Sequence, residues 1–290
     1  MALAARGYDC SWDPPDQQCM KNSGYAFLVR YSSRDPSKNL TKAELDSALA
    51  KGLKVCVVFQ EGKTQMTRGY SGGQQDARDA DAFVKGLGLG GIPLYFSCDF
   101  DPASNQWGAI DAYMDGVASV IGKARTGGYG GKAFISREFG NGKITWGWQT
   151  YAWSGSPTQW DGRAQLRQVK NDFAMCGGTI DNDEAWATDY GQWPRPGQPA
   201  TGTGDDVSSA VVFYKGQQFY AYINPGGKVC INGGVVDPGS NAKSGVGLAI
   251  NPENGQKVIT YTNTAGKLCS YHQNAGDPKW YWTDKKVDAR

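Results

Sequence analysis

Short apolar runs alternate with longer amphipathic stretches through the first 190 residues, the order expected of a β/α fold built on a parallel sheet. The predicted strands are RGYDC (6–10), YAFLVRY (25–31), LKVCVVF (53–59), IPLYFSC (92–98), TGGYG (126–130), WGWQTY (146–151), AQLRQV (164–169) and GTID (178–181). Eight strands fit a closed (β/α)8 TIM-like barrel, with roughly 190 residues at the small end for that architecture. Helical spacing is clearest in TKAELDSALAKG, where Thr41 and Glu44 form a capping-box pattern and Gly52 ends the element. GGQQDARDADAFVKGLG and SNQWGAIDAYMDGVASVIGK supply two further amphipathic helices.

The pattern then changes. GQWPRPGQPATGTGDD (191–206) is rich in Pro and Gly and has no apolar period, so 1–193 is read as the barrel, 194–206 as a linker and 207–290 as a small all-β repeat domain. The repeat is explicit: GQQFYAYINPGGKVC (216–230) and GQKVITYTNTAGKLC (255–269) align at an offset of 39 with seven identities in fifteen positions. Each copy reads strand, Gly-containing turn, strand. Units this small bury their faces only against neighbours, so the alternatives are a sandwich within one chain or a ring between chains, with homo-oligomerisation slightly favoured.

Composition narrows the chemistry. A net charge of +2 without a Lys/Arg run argues against a nucleic-acid partner, and no apolar stretch approaches the ~18 residues of a membrane span. The start MALAARGYDCSW lacks the charged head and apolar run of a signal peptide, so the expectation is synthesis in a host cytoplasm and action at the cell wall or within a virion. The seven cysteines form no CxxC pair; reduced thiols are expected, with Cys10 and Cys19 the one local pair worth testing for a bridge. The single histidine, His272, nearly excludes His-dependent nucleophilic and zinc hydrolysis, which leaves carboxylates. IDNDEA begins like a calcium loop but lacks its Gly and terminal Glu, so neither metal nor cofactor is implied.

Acidic residues recur at the predicted C-terminal strand ends, where barrels carry their sites: Asp9, Glu61, Asp99, Asp101, Asp181 and Asp183. In LYFSCDFDP a continued strand would point Asp99 and Asp101 to one face, which forces one carboxyl to stay protonated or the repulsion to be diluted. Trp12, Tyr129, Trp148, Tyr151 and Trp153 add aromatic platforms of the kind that stack on sugar CH faces. Arg30, charged within an apolar strand, is expected inside the barrel beside one of the ring acids.

GYDCSW, FLVRYSS, VVFQEG, LYFSCDFDP, GGYG, WGWQTY and TIDND, in that order, resemble the glycoside-hydrolase-like domain of unknown function found in secreted actinobacterial proteins and lysins of their phages, over about residues 5–193. The sequence is similar, more distantly, to the family 25 muramidases. That resemblance implies a cell-wall glycan as partner and carries roles onto Asp9, Asp99 and Asp181, with Asp101 at the acid's position, where the family has a glutamate one methylene longer. Glu61 is the alternative acid. The expected function is a phage-type lysin cleaving a glycosidic bond of peptidoglycan; the alternative is a non-catalytic glycan-binding or virion tail protein.

Overall fold

The computed structural model describes residues 2–155, 159–196, 209–214, 217–223, 229–231, 234–235, 242–251, 255–263, 268–274, 279 and 281–282. The chain divides into two compact units, Met1–Pro196 and Gly197–Arg290.

In the first unit, β1 (Ala5–Asp9), β2 (Phe27–Ser32), β3 (Lys54–Phe59), β4 (Leu94–Cys98), β5 (Thr126–Gly130), β6 (Trp146–Thr150), β7 (Leu166–Met175) and β8 (Gly178–Ala185) close into a barrel in sequence order. Helices α1 (Gln17–Asn22), α2 (Lys42–Ala50), α3 (Gly69–Gly86), α4 (Trp107–Ile121) and α5 (Lys132–Gly140) occupy the first five crossovers. Thr41 caps α2 by accepting from the Glu44 N–H, while the Glu44 carboxylate turns away to Arg30 instead of completing the capping box.

The β6–β7 pair is still parallel, but the last connection departs from the all-parallel expectation. β7 and β8 form a hairpin, so β8 runs antiparallel to both β7 and β1. The reason lies in chain length: a parallel crossover needs about a dozen residues. Only Cys176 and Gly177, both at positive φ, separate the two strands.

Strand alternation sorts the core into two layers. Phe27, Val29, Cys56, Val58, Tyr95, Trp148, Leu166 and Ala185 fill the barrel interior, while Leu28, Val55, Val57, Phe59, Leu94 and Phe96 pack outward under the helices. Tyr190 closes the floor: its ring lies 4.7 Å from Phe27 and its carbonyl accepts from the Tyr95 hydroxyl at 2.7 Å.

Two sequence expectations are corrected here. Cys19 and Cys176 form a disulfide across 157 residues, tying α1 to the hairpin turn, while Cys10 stays a free buried thiol. Arg30 does not enter the barrel interior. It shares parity with Leu28, so it lies beneath α2, bonded to Glu44 at 2.6 Å and to the carbonyls of Ser11 and Lys38.

In the second unit, strands Ser209–Tyr214, Gln217–Ile223, Val229–Ile231 and Gly234–Val235 form one antiparallel sheet. Ala242–Ile250, Lys257–Asn263, Leu268–Gln273 and Tyr281–Trp282 form another. The repeated segments pair in matching register, Tyr222 with Cys230 and Tyr261 with Cys269. Ala221, Val229, Ile259, Tyr261 and Tyr271 share one buried cluster. The turns of both repeat copies lie outside the described residues.

Candidate functional site

The antiparallel β1–β8 pair sets Asp9 opposite Asp181, and Gly7 opposite Asp183. Opposed residues share a face, as do positions two apart, so all three carboxyls turn inward. Asp9 and Asp183 are fully buried and Asp181 is half-buried at the mouth. Burial is the largest influence raising all three pKa values; mutual repulsion adds to it at Asp9 and Asp183, and Asp181 is carried to about 6.

One amide joins them. Gln168 Nε2 donates to Asp9 Oδ2 at 2.8 Å and to Asp181 Oδ2 at 3.0 Å, while Gln168 Oε1 accepts from the Tyr129 hydroxyl at 2.8 Å. Asp181 Oδ1 accepts from the backbone N–H of Asp172, which the irregular β7 register and a φ of 55° bring to the mouth. Asp183 Oδ1 accepts from Trp148 Nε1 at 2.9 Å; its Oδ2 meets no N–H or O–H donor and faces Asp9 carboxyl to carboxyl. Two carboxyls meet this way only by sharing a proton, and burial raises the pKa of both.

Above this cluster lies a cleft of two lobes that share Tyr31 and Asp181 as a common wall. The inner lobe, ≈ 190 Å³, is lined by Gln60, Ser97, Asp99, Tyr129 and Asn171 among others; the outer, ≈ 320 Å³, by Asp9, Trp12, Asp13 and Asp172. Asp99 follows the last residue of β4 and accepts from Gln60 Nε2 at 3.1 Å. Burial raises its pKa, against Lys63, hydrogen bonds from Trp153 and Gln60, and Lys38. Ser97 Oγ is buried without a hydrogen-bond partner and faces the inner lobe.

The structure thus brings Asp9, Asp99, Asp181, Asp183, Tyr129 and Trp148 together, with the last two rings 4.4 Å apart. Trp12 and Trp153 stand exposed at the rim, and Tyr151 is half-buried behind the mouth, its N–H on the Gln168 carbonyl. Asp101 is not brought in: β4 ends at Cys98, the chain bends at Phe100, and Asp101 lies exposed ahead of Pro102, lining neither lobe. Glu61 also lies outside both lobes, accepting from the Arg34 N–H at 2.8 Å. Arg30 Nε and Nη1 are bonded on the outer layer, to Glu44 and to the carbonyls of Ser11 and Lys38.

Sequence reasoning passed over Gln168, Tyr31, Gln60 and Ser97. Strand parity carries the signal for three of them, since Gln168 shares a face with Leu166, Tyr31 with Val29, and Ser97 with Tyr95. Among the described residues no group of three or more His, Cys, Asp or Glu side chains is arranged to hold a metal ion. No helix among them is long and apolar enough to cross a membrane.

Residues 18–185 match the model of the Rv2525c-like, glycoside hydrolase-like domain. Among solved structures, the Tat-secreted protein Rv2525c of Mycobacterium tuberculosis in complex with L-tartrate is 26% identical, with a TM-score of 0.61 over 66% of this chain and 100% of that one. The muramidase of Trichobolus zukalii is 17% identical (TM-score 0.44, covering 63% and 94%), and a bacterial lysozyme of Streptomyces coelicolor is 13% identical (TM-score 0.44, covering 64% and 94%). No curated protein matches the chain. The matched span holds Asp99, Gln168, Asp181 and Asp183 and more than half of the 290 residues, and on that match this chain belongs to the Rv2525c-like, glycoside hydrolase-like domain family.

Proposed function

We propose that the protein is a cell-wall lysin whose barrel hydrolyses a glycosidic bond of peptidoglycan with carboxylates alone. The observation that carries this reading is the pair of carboxyls facing the inner lobe from opposite walls, Asp99 beyond β4 and Asp181 on β8, each with its pKa raised by burial. Two carboxyls around a polar, hydroxyl-lined cavity supply what glycoside cleavage needs, a proton for the leaving oxygen and a charged partner for water or the sugar. Asp99 takes the acid role in this reading, because Asp101 lies outside the cleft. Asp181 and Asp9 act as the charged partner, and Trp12 and Trp153 stack on the sugar. The unit from Gly197 onward holds the chain on the wall, and self-association through it is tested by sedimentation of the full chain at several concentrations.

One observation favours a non-catalytic, glycan-gripping alternative: the position of the family 25 acid carries an aspartate that is exposed and outside the cleft. Reducing ends released from purified cell walls separate the two, since a binding module releases none.

A further inference from the structure

The polar atoms under the cleft can be counted one by one. The Gln168 amide has two N–H groups, and both go to carboxylate oxygens, one on Asp9 and one on Asp181. A flipped amide would aim its oxygen at both carboxylates, and the Tyr129 hydroxyl, a neutral donor because burial raises its pKa, fixes Oε1 on the other side. Gln168 is 2% exposed, so its own amide is shielded from water. Both Asp181 oxygens are then occupied as acceptors, by the Gln168 amide and the Asp172 N–H. Asp9 Oδ2 is likewise taken, and its Oδ1 faces the Tyr31 hydroxyl at 3.4 Å. The one oxygen of the three carboxyls that meets no donor is Asp183 Oδ2.

We propose that Gln168 is a positioning residue that orders the protons of this cluster: its amide holds Asp9 and Asp181 as acceptors and leaves Asp183 to carry the shared proton. A hydrogen bond to the charged form of an acid lowers its pKa, so Gln168 opposes the burial and repulsion that raise Asp9 and Asp181. The consequence for the proposed hydrolysis is a division of states, with Asp181 charged at the cleft wall while the proton stays one layer below. The groups acting on this cluster are Asp9 of β1, Tyr31 of β2, Asp99 beyond β4, Tyr129 of β5, Asp172 of β7, and Asp181 and Asp183 of β8. Lys38 and Lys63 act on Asp99, and Lys38 Nζ stands 5.3 Å over the Tyr31 ring.

The role in turnover rests on the hydrolytic reading; the proton assignment does not. The test is therefore a carboxyl-carbon NMR titration of the full chain labelled at Asp, with Asp9→Asn and Asp181→Asn used to assign the two resonances. Gln168→Met, which keeps side-chain length and removes both donors, is expected to raise both midpoints by about one pH unit. Midpoints unchanged from the parent overturn the assignment. Should Gln168→Met fail to fold, Gln168→Glu occupies the same space with one donor at most, and its expected midpoints are also raised; unchanged midpoints there overturn the assignment equally. A parent that titrates as expected but releases no reducing ends defeats the hydrolytic reading alone. A parent that cleaves wall glycan while Gln168→Met leaves the midpoints unmoved defeats the assignment alone.

Discussion

Asp9 and Asp181 stand opposite one another on two antiparallel strands, in a barrel whose other neighbours up to β7 run parallel. The reversal of β8 is what makes the pair. A parallel β8 would meet β1 in a different register, and its carboxyl would lie above or below Asp9 instead of across from it. The site therefore depends on the β7–β8 hairpin and on whatever holds that hairpin down.

The Cys19–Cys176 disulfide is one such tie, reinforced by the Asp16 N–H on the Cys176 carbonyl at 2.9 Å. Cross-linking residues 157 apart restricts the unfolded chain, an effect of about 5 kcal/mol in the chain-entropy treatment and about 2–4 kcal/mol in typical measurements. Cys176→Ser is expected to lower the melting temperature by several degrees and to leave one extra thiol titratable under denaturing, non-reducing conditions. A melting temperature equal to the parent's contradicts the tie.

Replacing the cleft acids separates them from the acids outside. Asp99→Asn and Asp181→Asn are each expected to lower wall-glycan turnover by roughly 100-fold or more, since each removes a group needed for proton transfer or charge. Asp101→Asn and Glu61→Gln leave the lobes untouched and are expected to stay within about threefold of the parent. Loss of turnover confined to Asp101→Asn returns the acid role to that residue.

Much of this was legible in the sequence, and the failures have physical causes. The first six barrel strands occur within about two residues of their predicted positions, whereas β7 and β8, alternately buried and half-exposed, run on to Met175 and Ala185, six and four residues past their predicted ends. The direction of β8 was also readable: the predicted seventh and eighth strands leave eight residues between them, too few for a helical crossover. Arg30 was misplaced although its parity with Leu28 puts it on the outer layer. The placement of Asp101 was not readable, since it turns on the strand stopping at Cys98, and boundaries are the weakest part of sequence reasoning. Nor was the disulfide, whose partners lie 157 residues apart with no motif linking them.

Glu138 gives a stability test away from the cleft. It is fully buried on α5, and burial, followed by repulsion from Asp111, carries its pKa to about 8. The folded value lies above the unfolded one, so its favourable contribution is complete below the ordinary glutamate range and fades as pH rises through about 8. Glu138→Gln keeps a donor toward Asp111 and removes that titration. Its melting temperature is expected to fall less than the parent's between about pH 5 and 8. Asp9, Asp181 and Asp183, also raised, keep some decline of the same sign in both proteins. Parallel curves contradict the buried neutral glutamate.

Trp12 lines the outer lobe with more than half its surface exposed and its indole N–H on Ser37 Oγ. Trp12→Ala is expected to weaken binding of soluble wall fragments roughly tenfold, the scale of one lost aromatic contact, with turnover at saturation little changed. Equal affinity in a calorimetric titration removes Trp12 from the glycan path.

The central claim, hydrolysis of a glycosidic bond by the cleft carboxyls, is tested most directly by digesting purified cell walls in oxygen-18 water and weighing the released glycans. Hydrolysis places one solvent oxygen on the anomeric carbon of each new reducing end, so the account predicts labelled ends from the parent and almost none from Asp99→Asn or Asp181→Asn. Walls that bind the parent yet release no labelled ends contradict it.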